Sequence, residues 1–168
     1  MVKNPVIIKQ RKKYMKEIEY RLLGIENLEL LVKLRIRDLK MFSNQEIKSS
    51  TIENIRCFYK EKMLKDECHT LVGYHSNQII SIATIYYYDI LPSNENPKGK
   101  VGQITNVWVD ENYRHLGVGS HMVKYLIKQY QKEVGFICLN SSKEAMKMYL
   151  DIGFEKKDNY LIFKRKLN

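Results

Sequence analysis

Long apolar runs are missing from this sequence. No stretch approaches the roughly 20 consecutive apolar residues that a membrane-spanning helix needs, although 44% of the 168 residues are hydrophobic. The amino terminus has only a short apolar run at residues 6–8 before a basic cluster, which is too short and in the wrong order for a secretory signal. We therefore expect a protein with no membrane partner and a cytoplasmic location.

Cysteine is also scarce. The three cysteines, Cys57, Cys68 and Cys138, have none of the paired spacings typical of zinc or redox sites. An odd number of cysteines suits a reducing compartment, and we expect all three to serve as packing residues. The sequence accordingly predicts no metal site.

Acidic residues are too few to balance the basic ones, which leaves a net charge of +10. A basic balance favours phosphate-bearing partners, but the positive residues are 22 Lys against 7 Arg and are spread along the chain. Specific nucleic-acid recognition would rely on the bidentate fork of Arg. We therefore expect no nucleic-acid partner and a lysine-rich surface that attracts a small polyanionic cofactor.

The chain has no internal repeat, and only residues 91–100 are dense in turn-forming residues. Residues 1–16 are polar and basic and are expected to form a tail or a short extra helix, whereas residues 17–168 have the length of one domain. Hydrophobic periodicity predicts the order β-α-α-β-β-β-α-β-α-β-β, at residues 18–23, 27–42, 50–63, 68–75, 78–90, 100–110, 117–130, 134–140, 142–151, 154–157 and 160–166. The expected fold class is α/β (α+β), with a mixed, mostly antiparallel six- to seven-stranded central sheet flanked by about four helices.

Local signals support several of these boundaries. Asn27 is expected to cap the first helix, and Ser50 with Glu53 has the spacing of a capping box for the second. The dipeptide at residues 76–77 is a tolerable hairpin turn. Residues 134–140 form a nearly continuous apolar run, which is typical of a strand buried on both faces.

The stretch YRHLGVGS, residues 113–120, lies where a strand pattern gives way to a helix pattern. A glycine turn at this position lets an anion approach the unpaired amides and the positive dipole of the first helical turn. A dinucleotide fingerprint needs a small residue where Met122 stands, and the Gly-Lys-Ser/Thr of a P-loop is absent. The pattern Arg-x-x-Gly-x-Gly remains, either as an anion site or as a plain structural turn.

Two stretches together resemble the GCN5-related N-acetyltransferase (GNAT) superfamily. The first is NVWV-DENY-RHLGVG-SHMVKYLIKQY, a strand, a polar turn, the glycine motif and a helix. The second is SKEAMKMYLDIGFEKK, in which Ala145, Tyr149, Gly153 and Phe154 fit a downstream signature of that family. The resemblance covers about residues 17–167 and implies one N-acetyltransferase domain with the acyl-CoA N-acyltransferase fold.

The resemblance implies acetyl-coenzyme A (acetyl-CoA) as cosubstrate and assigns residues to it. The glycine turn would hold the pyrophosphate, and the strand before it would pair with the pantetheine arm, with an N–H of Val107 facing the thioester carbonyl. Tyr149 matches the general acid that protonates the leaving thiolate; the alternative is an aromatic anchor of the core. The implied cofactor-binding residues are Val107, Trp108, Val109, Arg114, His115, Leu116, Gly117, Val118, Gly119, Ser120 and Ser142.

The family's acceptor pocket maps onto Arg35, Tyr86, Tyr88 and Asp89, with Asp89 or Glu111 as candidate bases. The implied reaction is direct attack of a primary amine, on a small molecule or a peptide, on the thioester. The alternative is a CoA-binding regulatory module without turnover. A monomer or a homodimer is expected.

Three features depart from the family pattern. His115 stands where many members have glycine, and Ser142 where many have an asparagine that reaches the cofactor. The segment at residues 110–112 lacks the common proline, and we expect its two carboxylates, Asp110 and Glu111, to face solvent because they would repel a pyrophosphate.

Overall fold

The structure, a computed structural model, describes residues 16–42, 46–157 and 161–163. Its strands are β1 (Glu19–Leu23), β2 (Cys68–His75), β3 (Gln78–Asp89), β4 (Lys100–Val109) and β5 (Phe136–Leu139). Its helices are α1 (Leu28–Phe42), α2 (Ser49–Leu64), α3 (Val118–Tyr130) and α4 (Met146–Ile152). Within the described ranges no helix combines the length and apolar character that a bilayer span requires.

The five strands form one mixed sheet in the order β1-β2-β3-β4-β5. Neighbouring strands from β1 to β4 are antiparallel, and β5 is parallel to β4. The mixed α/β class, the mostly antiparallel sheet and the four helices confirm the sequence prediction.

The predicted number of strands is wrong. The described residues form five strands and not six to seven, because residues 154–157 are not in a strand and neither are residues 161–163. The rest of the predicted last strand, at residues 160–166, lies outside the described residues, as does nearly all of the expected tail at residues 1–16. Strand β5 is also less buried than predicted, since Phe136 is 48% exposed.

Neither predicted capping residue caps its helix through its side chain. A 3-10 turn at Ile25–Asn27 precedes α1, and the Asn27 side chain accepts a hydrogen bond from the Gly24 N–H at 3.3 Å instead of capping the helix from outside. Helix α2 begins at Ser49, after Lys48, without a side-chain cap. Glu53 pairs with Arg56 on its own helix, so it does not complete a capping box.

The sheet separates two apolar clusters, as a layered fold requires. The α3-side cluster, which also contacts α4, includes Leu71, Ile85, Ile104, Met122 and Leu126. The α1-side cluster, which also contacts α2, includes Leu31, Leu34, Tyr59, Val72 and Ile82. Of the cysteines, Cys68 is buried as expected, whereas Cys57 is exposed and does not serve packing.

Candidate functional site

Strand β4 loses its second neighbour halfway along its length. Its parallel pairing with β5 runs from Val101 opposite Phe136 to Ile104 opposite Leu139, where β5 ends, and β4 continues to Val109. Within the described residues, positions 105–109 therefore have a strand partner on the β3 side alone. Backbone groups on the other side can bind an extended ligand that carries its own amides, as in strand addition.

A β-bulge in the pairing of β3 with β4 lies at the point where β5 separates from β4. Thr84 is opposite Thr105 and Ile82 is opposite Trp108, so β4 holds one more residue than β3 in this interval. Asn106 has a left-handed backbone, with φ of 53°. Because of the extra residue, Ile104 and Val107, three positions apart, both contact the α3-side cluster.

Buried polar contacts hold the bulge in place. The Asn106 side chain, on a residue only 5% exposed, accepts a hydrogen bond from Arg35 Nη1 at 2.6 Å and donates one to the Tyr59 hydroxyl at 3.1 Å. Arg35 Nη1 also donates to Asp38 Oδ2 at 2.6 Å. These contacts join α1, α2 and β4, and they satisfy the buried amide of Asn106.

A cleft of about 400 Å³ opens beside the bulge, between β4, the segment after β5, and helices α1 and α4. Its volume lies within the range of small-molecule sites. It brings together three of the predicted site residues, Val107, Ser142 and Tyr149. The remaining lining residues are Asp38, Gln103, Ile104, Thr105, Asn106, Asn140, Ser141 and Ala145.

Tyr149 reaches the cleft from α4. Its side chain is buried, at 6% exposure, and its ring packs edge-on against Phe154 with 5.8 Å between ring centroids. Burial raises the pKa of the Tyr149 phenol above its ordinary value. The hydroxyl therefore stays protonated at neutral pH and is available as a hydrogen-bond donor.

The glycine turn follows directly after the open end of β4. Gly117 has φ of 95° and immediately precedes α3, and His115 is also left-handed, with φ of 60°. A Cβ on Gly119 would lie 3.4 Å from Met148 Sδ and 3.5 Å from Val109 Cγ2, so α3 begins in contact with the end of β4. The amides of the first turn of α3 have no partners within the helix, and such amides can bind an anion.

Comparison with known proteins agrees with this geometry. The family model described as "Acetyltransferase (GNAT) family" matches residues 33–154. The chain belongs to the GNAT acetyltransferase family. Comparison with curated proteins gives no match.

Solved structures of GNAT acetyltransferases share the fold. A predicted acetyltransferase from Clostridium acetobutylicum, determined with acetyl-CoA, is 26% identical with a TM-score of 0.78, covering 88% of this chain and 96% of that one. A GCN5-related N-acetyltransferase from Ralstonia eutropha JMP134 is 17% identical, with a TM-score of 0.70 and coverage of 88% and 98%. An aminoglycoside acetyltransferase from an uncultured soil metagenomic sample, in complex with sisomicin, is 15% identical, with a TM-score of 0.66 and coverage of 92% and 99%.

Several predicted coenzyme residues of this GNAT chain use their side chains for contacts within the protein. Arg114 Nε donates to the Val109 carbonyl at 3.1 Å and so closes the turn on the end of β4. The Trp108 ring lies under the Arg37 guanidinium, 3.8 Å from ring centroid to Cζ. Leu116 and Val118 pack into the α3-side cluster. Leu116 and Val118 can therefore offer a ligand mainly backbone atoms, whereas the Arg114 side chain is 45% exposed.

The remaining predicted positions of the turn differ in exposure. His115 and Gly117 are exposed, and Ser120 is half-buried in the first turn of α3. Ser142 lines the cleft, and its hydroxyl accepts a hydrogen bond from the Ala145 N–H at 3.3 Å.

The carboxylates singled out from the sequence do not meet at the cleft. Asp89 is exposed and lies opposite Lys100 in the register of β3 and β4, at the far end of β4. At the rise of a strand, Lys100 is roughly 20 Å from Asn106. The Glu111 side chain is 85% exposed. Asp110 caps a 3-10 turn by accepting from the Asn112 N–H at 3.0 Å. Glu111 therefore faces solvent as expected, whereas Asp110 is only partly exposed.

None of the predicted acceptor residues lines the cleft. Arg35 lies behind the bulge and contacts two lining residues without lining the cleft itself. Tyr86 packs edge-on against Phe58, and the Tyr88 hydroxyl lies 3.7 Å from Cys138 Sγ; neither tyrosine lines the cleft.

Sequence reasoning missed Asp38. Its side chain is 14% exposed and lines the cleft, and burial raises the pKa of its carboxyl although the neighbouring Arg35 lowers it. A signal existed in the sequence, because Asp38 follows buried Leu31 and Leu34 at the seven- and four-residue spacings of one helix face. A carboxylate on an apolar stripe indicates a buried polar contact. Within the described residues, no group of three His, Cys, Asp or Glu side chains could hold a metal ion.

Proposed function

We propose that the protein is an acetyl-CoA-dependent N-acetyltransferase that transfers the acetyl group directly to a primary amine. The observation that carries this proposal is the continuity of two features: the unpaired edge of β4 at residues 105–109 leads directly into the glycine turn at the start of α3. A single ligand with an amide-bearing arm and a pyrophosphate at its end fits both features. The Clostridium acetobutylicum structure with acetyl-CoA supports this choice of ligand.

The residues present fit such a ligand. The first-turn amides and positive dipole of α3 favour a pyrophosphate, with the backbone of residues 114–120 around it. Ser142 borders the cleft, and Val107, Trp108 and Val109 supply the strand for the arm. Acetyl-CoA supplies the activated acetyl group. The one carboxylate that lines the cleft, that of Asp38, lies on α1 and away from the glycine turn.

Two groups of the chain would act on the reacting atoms. One preorganised N–H, which we assign to Val107, can stabilise a developing oxyanion by about 3 to 4 kcal/mol. Proton transfer from a phenol near pKa 10 to a thiolate near 8.5 is uphill by about 2 kcal/mol, and burial raises the pKa of Tyr149 further. Tyr149 therefore serves as a hydrogen-bond donor to the leaving sulfur. Its role does not depend on full proton transfer.

The acceptor is a primary amine on a small molecule or a peptide. The fold does not choose among such amines, because one fold supports many substrates. We propose a cytoplasmic monomer or homodimer.

Thermal unfolding with acetyl-CoA tests the proposal. A ligand at 100 times its Kd stabilises by about 2.7 kcal/mol, which raises Tm by roughly 5 to 10 °C for a chain of this size. Gly119→Glu should abolish this shift because it places a carboxylate at the anion site, whereas the uncharged Gly119→Gln of similar size should retain part of it.

Release of thiol from acetyl-CoA in the presence of an amine panel then tests turnover. The absence of any thermal shift with acetyl-CoA or CoA would refute the proposed site. A shift without acetyl transfer to any amine would instead favour the CoA-binding regulatory module.

A further inference from the structure

The charge of the cleft is opposite in sign to that of the whole chain. Asp38 is the only charged residue among those that line the cleft, and neither Lys, Arg nor His is among them. The chain as a whole carries a net charge of +10. The other polar lining groups are neutral amides and hydroxyls, on Gln103, Thr105, Asn106, Asn140, Ser141, Ser142 and Tyr149.

The Asp38 carboxylate keeps capacity for a further partner. Its Oδ2 accepts a hydrogen bond from Arg35 Nη1 at 2.6 Å, and the same nitrogen also donates to Asn106. The other oxygen, Oδ1, makes no hydrogen bond to any described residue. A carboxylate can accept about four hydrogen bonds, so Asp38 can bind a cationic donor without losing Arg35.

We propose that Asp38 binds the ammonium group of the acceptor and accepts the proton whose loss frees the nitrogen lone pair for attack, so that the acceptor is a primary amine with a polar body and no anionic group. This inference rests on the proposed acetyltransferase function and adds to it the acceptor-binding residue and the acceptor class. Val107, to which we assign the oxyanion contact, lines the same cleft as Asp38. The amine and the acyl group would therefore meet in one cavity.

The reaction balances with groups already named. The nitrogen lone pair forms a bond to the carbonyl carbon of the acetyl group, and the bond from that carbon to sulfur breaks. Before this attack the ammonium gives one proton to Asp38, which passes it to water, so that the nitrogen has a free lone pair. The nitrogen gives a second proton to solvent as the intermediate collapses, and the sulfur takes one proton from solvent while Tyr149 donates a hydrogen bond to it, so that one proton is released overall. The products are an acetamide and a free thiol.

The groups around Asp38 set its basicity. Arg35 and Arg37 lie on its own helix and favour the charged form, Tyr59 lies on α2, and Tyr149 is the other titratable group that lines the cleft. Burial has the largest effect and raises the pKa of the Asp38 carboxyl. Each unit of that rise makes the carboxylate tenfold better as a proton acceptor from a given ammonium.

The test compares Asp38→Asn with wild type in steady-state kinetics of thiol release. Asparagine keeps an oxygen that can accept from Arg35, so the bulge should stay intact and the Kd for acetyl-CoA should change less than twofold. Asp66→Asn is the matched control, since the Asp66 carboxylate is 95% exposed and lies outside the cleft. Two matched pairs of amines serve as probes: ethanolamine against glycine, and 3-aminopropanol against β-alanine.

We expect wild type to favour each amino alcohol over its amino acid by at least tenfold in kcat/KM. Asp38→Asn should lower kcat/KM for the amino alcohols at least 100-fold and erase this preference, Asp38→Glu should recover part of the loss, and Asp66→Asn should behave as wild type. Unchanged amine kinetics in Asp38→Asn, loss of acetyl-CoA binding in parallel with activity, or a wild-type preference for the amino acids would overturn the inference and leave the proposed function standing. Acetyl-CoA binding without transfer to any amine by wild type would overturn both.

Discussion

The two glycines of the turn should respond differently to alanine. Gly117 has φ of 95°, and a Cβ there would meet nothing within 4 Å, so its requirement is purely conformational. A left-handed alanine costs about 1 to 2 kcal/mol, which lowers Tm by roughly 2 to 8 °C in a chain of this length. Gly119 lies within α3 with a right-handed backbone, and its Cβ would make ordinary contacts at 3.4 and 3.5 Å. Gly119→Ala should leave stability unchanged or raise it by up to about 1 kcal/mol.

Urea unfolding of both variants, without ligand, measures this difference. Gly117→Asn is the control, because asparagine enters the left-handed region more readily than alanine and should recover part of the loss. Equal destabilisation by Gly117→Ala and Gly119→Ala would refute the reasoning, and so would an asparagine variant no more stable than the alanine variant.

Three further predictions concern the cleft and the far end of the sheet. Tyr149→Phe should lower kcat more than acetyl-CoA affinity, measured by thiol release and thermal shift; an unchanged kcat would return Tyr149 to the role of core anchor. Asn106→Ala should destabilise the protein by about 1 to 3 kcal/mol in urea unfolding, because it removes the buried partner of Arg35 and of a tyrosine hydroxyl; a loss well below that range would show that the bulge does not depend on this amide. Glu67→Gln should destabilise at pH 7, because two lysines lower the pKa of the Glu67 carboxyl. That stabilisation exists above the unfolded-state pKa and is lost as pH falls through the lowered folded-state pKa, so a difference between variant and wild type that persists below it would contradict the assignment.

The parts of the fold that sequence could predict are those set by local periodicity and turn chemistry. The hairpin between β2 and β3 is confirmed, and Ser76 and Asn77 both have positive φ, of 49° and 62°, as favoured two-residue hairpins require. Cap positions were less predictable, because polar residues suited to capping occur at neighbouring positions. The Asn27 side chain accepts a hydrogen bond from the Gly24 N–H across a 3-10 turn, and hydrophobic periodicity does not predict such a turn.

The candidate site was predictable where it depends on short-range signals and not where it depends on distant contacts. The glycine turn and Tyr149 follow from motifs within a few residues. Arg35 and Asn106 meet across 71 positions in the chain, and the bulge that they hold has no local signature, because asparagine is also common in ordinary turns. Asp38 lies on the apolar stripe of α1, which indicates a buried position, but the surroundings that raise its pKa are formed only by the folded cleft.

The extra residue in β4 acts as a half-period phase shift in a strand whose side chains repeat every two residues. Upstream of it β4 is a central strand, and downstream it is an edge strand. Deleting one residue between Ile104 and Val107 would place these two side chains two positions apart on the same face, which keeps the alternation of the strand but removes the bulge that positions Asn106 against Arg35. Natural changes in length are therefore expected in the exposed stretch at residues 91–95 and excluded at residues 105–109, where the bulge connects the turn to the cleft.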